Sequence, residues 1–99
     1  MPSYRSILTV TALHPGRDPR DVEAAARGAV AATTIVESFD VGVVAGQPRV
    51  TARFTADDDA EAREVHERVL AAVRQGATAP QAVLARVSGG RSVPVPAGP

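Results

Sequence analysis

Residues 49–62, RVTARFTADDDAEA, change their period half-way. Up to Thr55 the chain alternates, with Val50, Ala52 and Phe54 on one side and Arg49, Thr51, Arg53 and Thr55 on the other. That two-residue repeat belongs to a strand with one buried face. From Ala62 the apolar residues return at helical spacing, as Val65, Val69, Ala72 and Val73. The aspartates stand at the switch. Asp57 or Asp58 caps the helix, Glu61 lies three residues past Asp58 as in a capping box, and the acidic cluster complements the positive end of the helix dipole. The helix is expected over about Asp58 to Gln75, with Gly76 as the residue that leaves it. A strand feeding an Asp-capped helix accounts for the three carboxylates without a metal or a reaction.

The same arrangement occurs earlier in the chain. YRSILTVTAL, Tyr4 to Leu13, reads as a strand that ends at the turn signal His14-Pro15-Gly16. Asp18 is then an N-cap, Pro19 the first helical residue and Asp21 the third. Val22, Ala25, Ala26, Ala29, Val30 and Thr33 make the buried stripe, and Glu23 pairs with Arg27 outside. Leu8, Val10 and Ala12 are assigned to the core, and Ile7, Thr9 and Thr11 to the opposite face. Ile7 and Leu13 are apolar too, which leaves the other phase open.

Between these halves, Ile35 to Val44 alternates Phe39, Val41 and Val43 with Ser38, Asp40 and Gly42. The short loop AGQPR joins it to the strand beginning at Arg49 as a hairpin. Ala82 to Val87 supplies a short last strand. The order β-α-β-β-α-β implies an α+β, ferredoxin-like sandwich: a four-stranded antiparallel sheet with two helices on one face. Residues 1–87 form the single domain, and 88–99, SGGRSVPVPAGP, a flexible Gly/Pro-rich tail in which SVPV suits a short edge segment.

Composition narrows the function classes. Ninety-nine residues suit one domain. Tyr4, Phe39 and Phe54 are the only aromatics, so the core is thin and built on Ala and Val. Eleven basic residues balance eleven acidic ones. That disfavours a surface tuned to nucleic acid, whose affinity rests on neutralised phosphates. With no cysteine there are no disulfides, thiolate metal sites or cysteine nucleophiles. No apolar run is long enough to span a bilayer and no leader pattern opens the chain, so no membrane partner is expected and the cytoplasm is the default location. The Ala/Val/Arg bias is that of a GC-rich, bacterial-like coding background. Nothing calls for a cofactor, and His14 and His66 show no metal-ligand spacing.

Two candidate sites remain. The open sheet face carries Arg5, Ile7, Thr9 and Thr11 with Arg49, Thr51 and Arg53, joined by Ser38 and Asp40, and by Arg86 in one of the two registers of the last strand. It reads either as a subunit interface or as a solvated face. The loop HPGRDPR suits a small anionic ligand: Gly16 allows backbone approach, Arg17 and Arg20 add charge at a helix N-terminus, and His14 and Asp40 complete the set. Ser6, Ser38, Ser88 and Ser92 lie in no nucleophile-elbow context.

The expectation is a small noncatalytic binding or regulatory module that forms a homodimer through its open sheet face, with an anionic ligand or protein as a further partner. One alternative is a small dimeric α/β-barrel enzyme with a pocket between paired sheets, although no catalytic residue is assigned. A second is a nucleic-acid-binding domain using Arg49 and Arg53, against which stands the lack of exposed aromatics for stacking.

Overall fold

Alternation along the first strand sets up the core. In the computed structural model, which describes residues 1–32, 34 and 36–96, Tyr4, Ser6, Leu8 and Val10 are buried and Arg5, Ile7 and Thr9 between them are half-buried. The strand is β1 (Ser3–Thr9), and it lies at the middle of the main sheet. Beyond the short β2 (Ala12–Leu13), the chain forms α1 (Pro19–Ala31), β3 (Val36–Val44), β4 (Gln47–Thr55) and α2 (Asp59–Arg74). The two-residue β5 (Ala77–Thr78), β6 (Gln81–Ser88) and β7 (Arg91–Pro94) complete it. The main sheet has the order β3-β4-β1-β6-β7, with each of these pairings antiparallel.

The architecture is mixed α+β, with two helices and five strands in the main sheet where four were expected. The fifth comes from residues in the stretch assigned to the tail. Gly89 and Gly90, at φ +56° and +79°, make the left-handed turn that two-residue hairpins require, and Arg91–Pro94 folds back on β6. Ala97 to Pro99 lie outside the described residues, as do Thr33 and Ile35.

The first strand is also shorter than its sequence pattern. Thr9 pairs with Gln81, and Pro80 before it has no N–H with which to continue the ladder. The backbone of Val10 donates to the Pro48 carbonyl, and that of Thr11 to the Thr78 carbonyl, both at 2.9 Å. The chain thus leaves the main sheet, and β2 pairs with β5 in a separate two-stranded ladder. Ala12, expected in the core, is exposed as a result, and Thr11 stands outside the main sheet.

Both helix starts follow from local chemistry. The Asp18 carboxylate accepts from the N–H groups of Arg20 and Asp21 at 2.8 and 3.1 Å, and Asp21 accepts from the Asp18 N–H at 3.0 Å. Asp58 caps α2 by accepting from the Glu61 N–H at 2.8 Å. Glu61 reaches back to the N–H of Asp57, not to that of Asp58 as a capping box would have it. Gly76 does not take the left-handed conformation of a C′ glycine. The Arg17 side chain lies across it, and a Cβ there would meet Arg17 Cγ at 3.5 Å.

The helices pack against each other and against one sheet face. Val22, Ala26 and Val30 of α1 and Val65, Val69 and Val73 of α2 close on Leu8, Val50, Phe54 and Leu84. The rings of Tyr4 and Phe54 stack with centroids 6.0 Å apart. Among the described residues, no helix is long and apolar enough to cross a membrane.

Candidate functional site

The register of the main sheet decides which side chains share its helix-free face. Directly opposed residues of neighbouring strands point to the same side. Ile7 faces Thr51 on one flank and Val83 on the other, and Thr51 faces Asp40. The row Val83–Ile7–Thr51–Asp40 therefore crosses the open face. On one side of it runs Ala85–Arg5–Arg53–Ser38, and on the other Gln81–Thr9–Arg49–Gly42. Val83 is 47% exposed, while Ile7 and Thr51 are half-buried. Two aliphatic side chains, Val83 and Ile7, thus stand in a row with Thr51 and Asp40, flanked by three arginines.

The arginines differ in their ties. Arg5 donates to Ser92 Oγ at 2.7 Å, a bond that reaches across β6 and ties the edge strand β7 to β1. The Arg53 Nε is buried, lies 3.7 Å from Glu37 Oε1 and makes no hydrogen bond. Glu37 sits at the bulge between Val36 and Ser38 and also accepts from Ser3 Oγ at 2.5 Å. Arg49 and Asp40 are exposed, and neither has an ion-pair partner among the described residues. Arg86 leaves this face: it pairs with Tyr4 in the helix-side register and lies 3.6 Å from Asp59.

The loop from His14 to Arg20 is occupied by its own chain. The His14 N–H donates to the Gly76 carbonyl at 2.9 Å, and its Nδ1 donates to the Gln75 carbonyl at 3.2 Å. Gly16 has φ +80°, which turns the chain, and Arg17 packs its stem on Gly76. Arg20 is exposed, and its backbone N–H is already held by Asp18. Asp40 does not join this group, since its register with Thr51 puts it on the sheet face away from the helices.

The structure brings together two polar groups that the sequence reading left separate. Ser6 Oγ and His66 Nδ1 meet at 2.6 Å between β1 and α2. Ser6 is 0% exposed and His66 8%. Burial lowers the pKa of the imidazole, the Arg74 charge adds to that, and Glu67 opposes it. One signal for this pair is present in the sequence: Ser6 sits in the buried phase Tyr4–Ser6–Leu8, and a buried hydroxyl needs a partner. Nearby, Tyr4 Oη donates to Asp59 at 2.7 Å. Burial, then this bond to the carboxylate, push the tyrosine pKa up to about 12. His66 also lines a groove of about 780 Å³ between α2 and the β6–β7 side. Arginines hold its margins, with Arg63 donating to the Pro96 carbonyl at 3.3 Å and Arg74 to the Ala79 carbonyl at 3.0 and 3.2 Å. The Ser6 hydroxyl is sealed from this groove, so the pair has the geometry of an internal tie and not of a nucleophile with its base.

A second cavity of about 210 Å³ lies at the opposite end, below the start of α1. It is walled by Val10, Leu13, Pro19, Val22, Val41 and Val50. Among the described residues no three His, Asp or Glu side chains converge as metal ligands. In comparisons with known proteins, no family model matches the chain, and neither the curated proteins nor the solved structures gave a match.

Proposed function

We propose that the chain is a small noncatalytic binding or regulatory module, of ferredoxin-like βαββαβ topology with one added edge strand, that acts in the cytoplasm as a homodimer held through its open sheet face. The observation that carries this reading is the row Val83–Ile7–Thr51–Asp40, with its two aliphatic side chains, flanked by Arg5, Arg49 and Arg53 on the face that neither helix covers. A two-fold stacking of such faces buries the two aliphatic side chains and lets the partner's Asp40 approach an arginine. Symmetric pairing of this kind is the commonest form of self-association.

Two features keep the other classes behind it. Tyr4 and Phe54 are buried under the helices and Phe39 lies beneath the Arg27 guanidinium of α1, so the open face has no stacking platform for bases. The buried Ser6 hydroxyl offers nothing to a substrate.

Sedimentation of Ile7→Glu and Thr51→Glu tests the reading. Each substitution places a charge in the centre of the stacked faces and is expected to raise the dimer dissociation constant at least about tenfold, with an unchanged circular dichroism spectrum. A wild-type dimer that both variants leave intact would remove the open face as the interface.

A further inference from the structure

The two edges of the main sheet are unequal. At one side β7 is four residues long and ends in Pro94, followed by Val95 and Pro96, which blunts it against further pairing. At the other side β3 runs nine residues from Val36 to Val44, contains no proline or lysine, and carries its charges, Glu37 and Asp40, before its last four residues. Its bulge is confined to the start, between Val36 and Ser38, and from Ser38 to Val44 the ladder with β4 is regular. Among the described residues, no strand lies beside the outward N–H and C=O groups of that half.

Exposed aliphatic side chains gather at the same place. Val41 is 46% exposed, Val43 73% and Val44 43%. Val41 is also a wall of the 210 Å³ apolar cavity below α1, together with Val10, Leu13 and Val22. An edge that ends in alternating valines beside an apolar cavity is a site for strand addition, in which main-chain bonds give affinity and a pocket selects the side chain.

We propose that the occupant of this edge is β3 of a second copy, paired antiparallel about a two-fold axis through Gly42. In that register Val41 faces the second copy's Val43, and Val43 faces the second copy's Val41, both on the helix side. The most exposed valine of each copy is then delivered to the cavity margin of the other. Charge favours the same arrangement. Asp40 faces the second copy's Val44, so the two aspartates stand four positions apart along the paired strands. Glu37 is already held by Ser3 and Arg53. Arg49 is the neighbour of Gly42 on β4 and shares a face with it. Because Gly42 has no side chain, Arg49 is the base with the clearest path over the edge toward the second copy's Asp40. This contact is separate from the open-face stacking proposed above: it rests on the β3 backbone, Val41 and Val43, and shares Asp40 and Arg49 with that reading.

The chain has no cysteine, which permits a direct test of register. A Cβ at Gly42 meets only Asp40 Oδ2, at 4.0 Å, so Gly42→Cys fits the fold. Residues facing each other across an antiparallel pair have Cα atoms about 4.5–5.5 Å apart, within the span of a disulfide. Gly42→Cys is expected to give a covalent dimer on mild oxidation, and Asp40→Cys, whose mate is a valine, to remain unlinked. Val43→Lys is expected to raise the dissociation constant at least about tenfold with the circular dichroism unchanged. Failure of Gly42→Cys to cross-link at concentrations where the wild type is dimeric would overturn the proposal. So would a dimer indifferent to Val43→Lys and abolished by Ile7→Glu, which would leave the open-face reading standing alone. A dimer indifferent to Ile7→Glu and lost in Val43→Lys would do the reverse. A chain that stays monomeric at about 1 mM would overturn both and leave the edge to a different strand partner.

Discussion

His66 is a titratable ring carried by an otherwise apolar helix stripe into the contact between α2 and β1, and its one hydrogen-bond partner among the described residues is Ser6. Replacing Ser6 with alanine leaves the ring nitrogen buried without a partner, which costs about 1–3 kcal/mol; urea denaturation at pH 7 measures it. The double variant Ser6→Ala/His66→Leu removes both polar groups together and should return close to the wild-type midpoint, because neither desolvated atom is left alone. The ring also predicts a pH dependence. Its pKa in the folded state lies below the ordinary 6.5, so the unfolded chain takes up the proton first as the solution is acidified. The stability linked to His66 is whole above about pH 6.5 and declines as pH falls from there through the folded value. Thermal midpoints between pH 7.5 and 5 should show this fall, and the double variant should flatten it. Ser6 shares the phase of Leu8 and Val10 assigned to the core, but the apolar Ile7 left the other phase of β1 open until the sheet was in place. That its partner is His66 was not legible, since their sixty-residue separation is closed only by how α2 is rotated on the sheet.

At the scale of elements, the helix starts were legible, and so were the ends of β3 and β4 at Val44 and Thr55, but the end of β1 was not. Asp18-Pro19-Arg20-Asp21 caps itself with bonds that span three residues at most, so no distant contact is needed to specify it. Where β1 ends depends instead on Pro80 and Thr78, residues far along the chain that stop one ladder and start another. The β3–β4 turn shows a local strain. Ala45 and Gly46 take φ +53° and +79°, the pair of left-handed residues that a two-residue hairpin needs, and Ala45 bears a Cβ that this conformation disfavours. Ala45→Asn supplies a residue that tolerates it and should stabilise the fold by about 0.5–1 kcal/mol, seen as a higher urea midpoint at an unchanged slope. A lower midpoint would show that the turn gains nothing from relief at this residue.

At the scale of the whole molecule, the segment after Gly89-Gly90 closes one side of the structure. The Val95 N–H donates to the Leu84 carbonyl at 2.9 Å and its side chain packs on the core, while Ala85, opposite Pro94, is only 2% exposed. A chain ended at Ser88 should therefore remain folded but lose about 2 kcal/mol, the scale of burying one aliphatic side chain; denaturation and faster amide exchange along β6 would register it. Equal stability of the short and full chains would show that this packing contributes little. The Asp-capped helix starts and the buried phase of β4 were determined by the sequence by itself. Each rests on periodicity or on bonds between residues a turn apart, and these act on the chain before any distant part arrives. The edge segment that SVPV suited forms as β7, while tertiary structure alone decided that Thr11 and Ala12 leave the main sheet, that Ser6 meets His66, and that the valines at the end of β3 stay exposed. Those outcomes depend on which distant backbone and side-chain groups are left without partners once the two helices have settled on one face, and no local pattern contains that information.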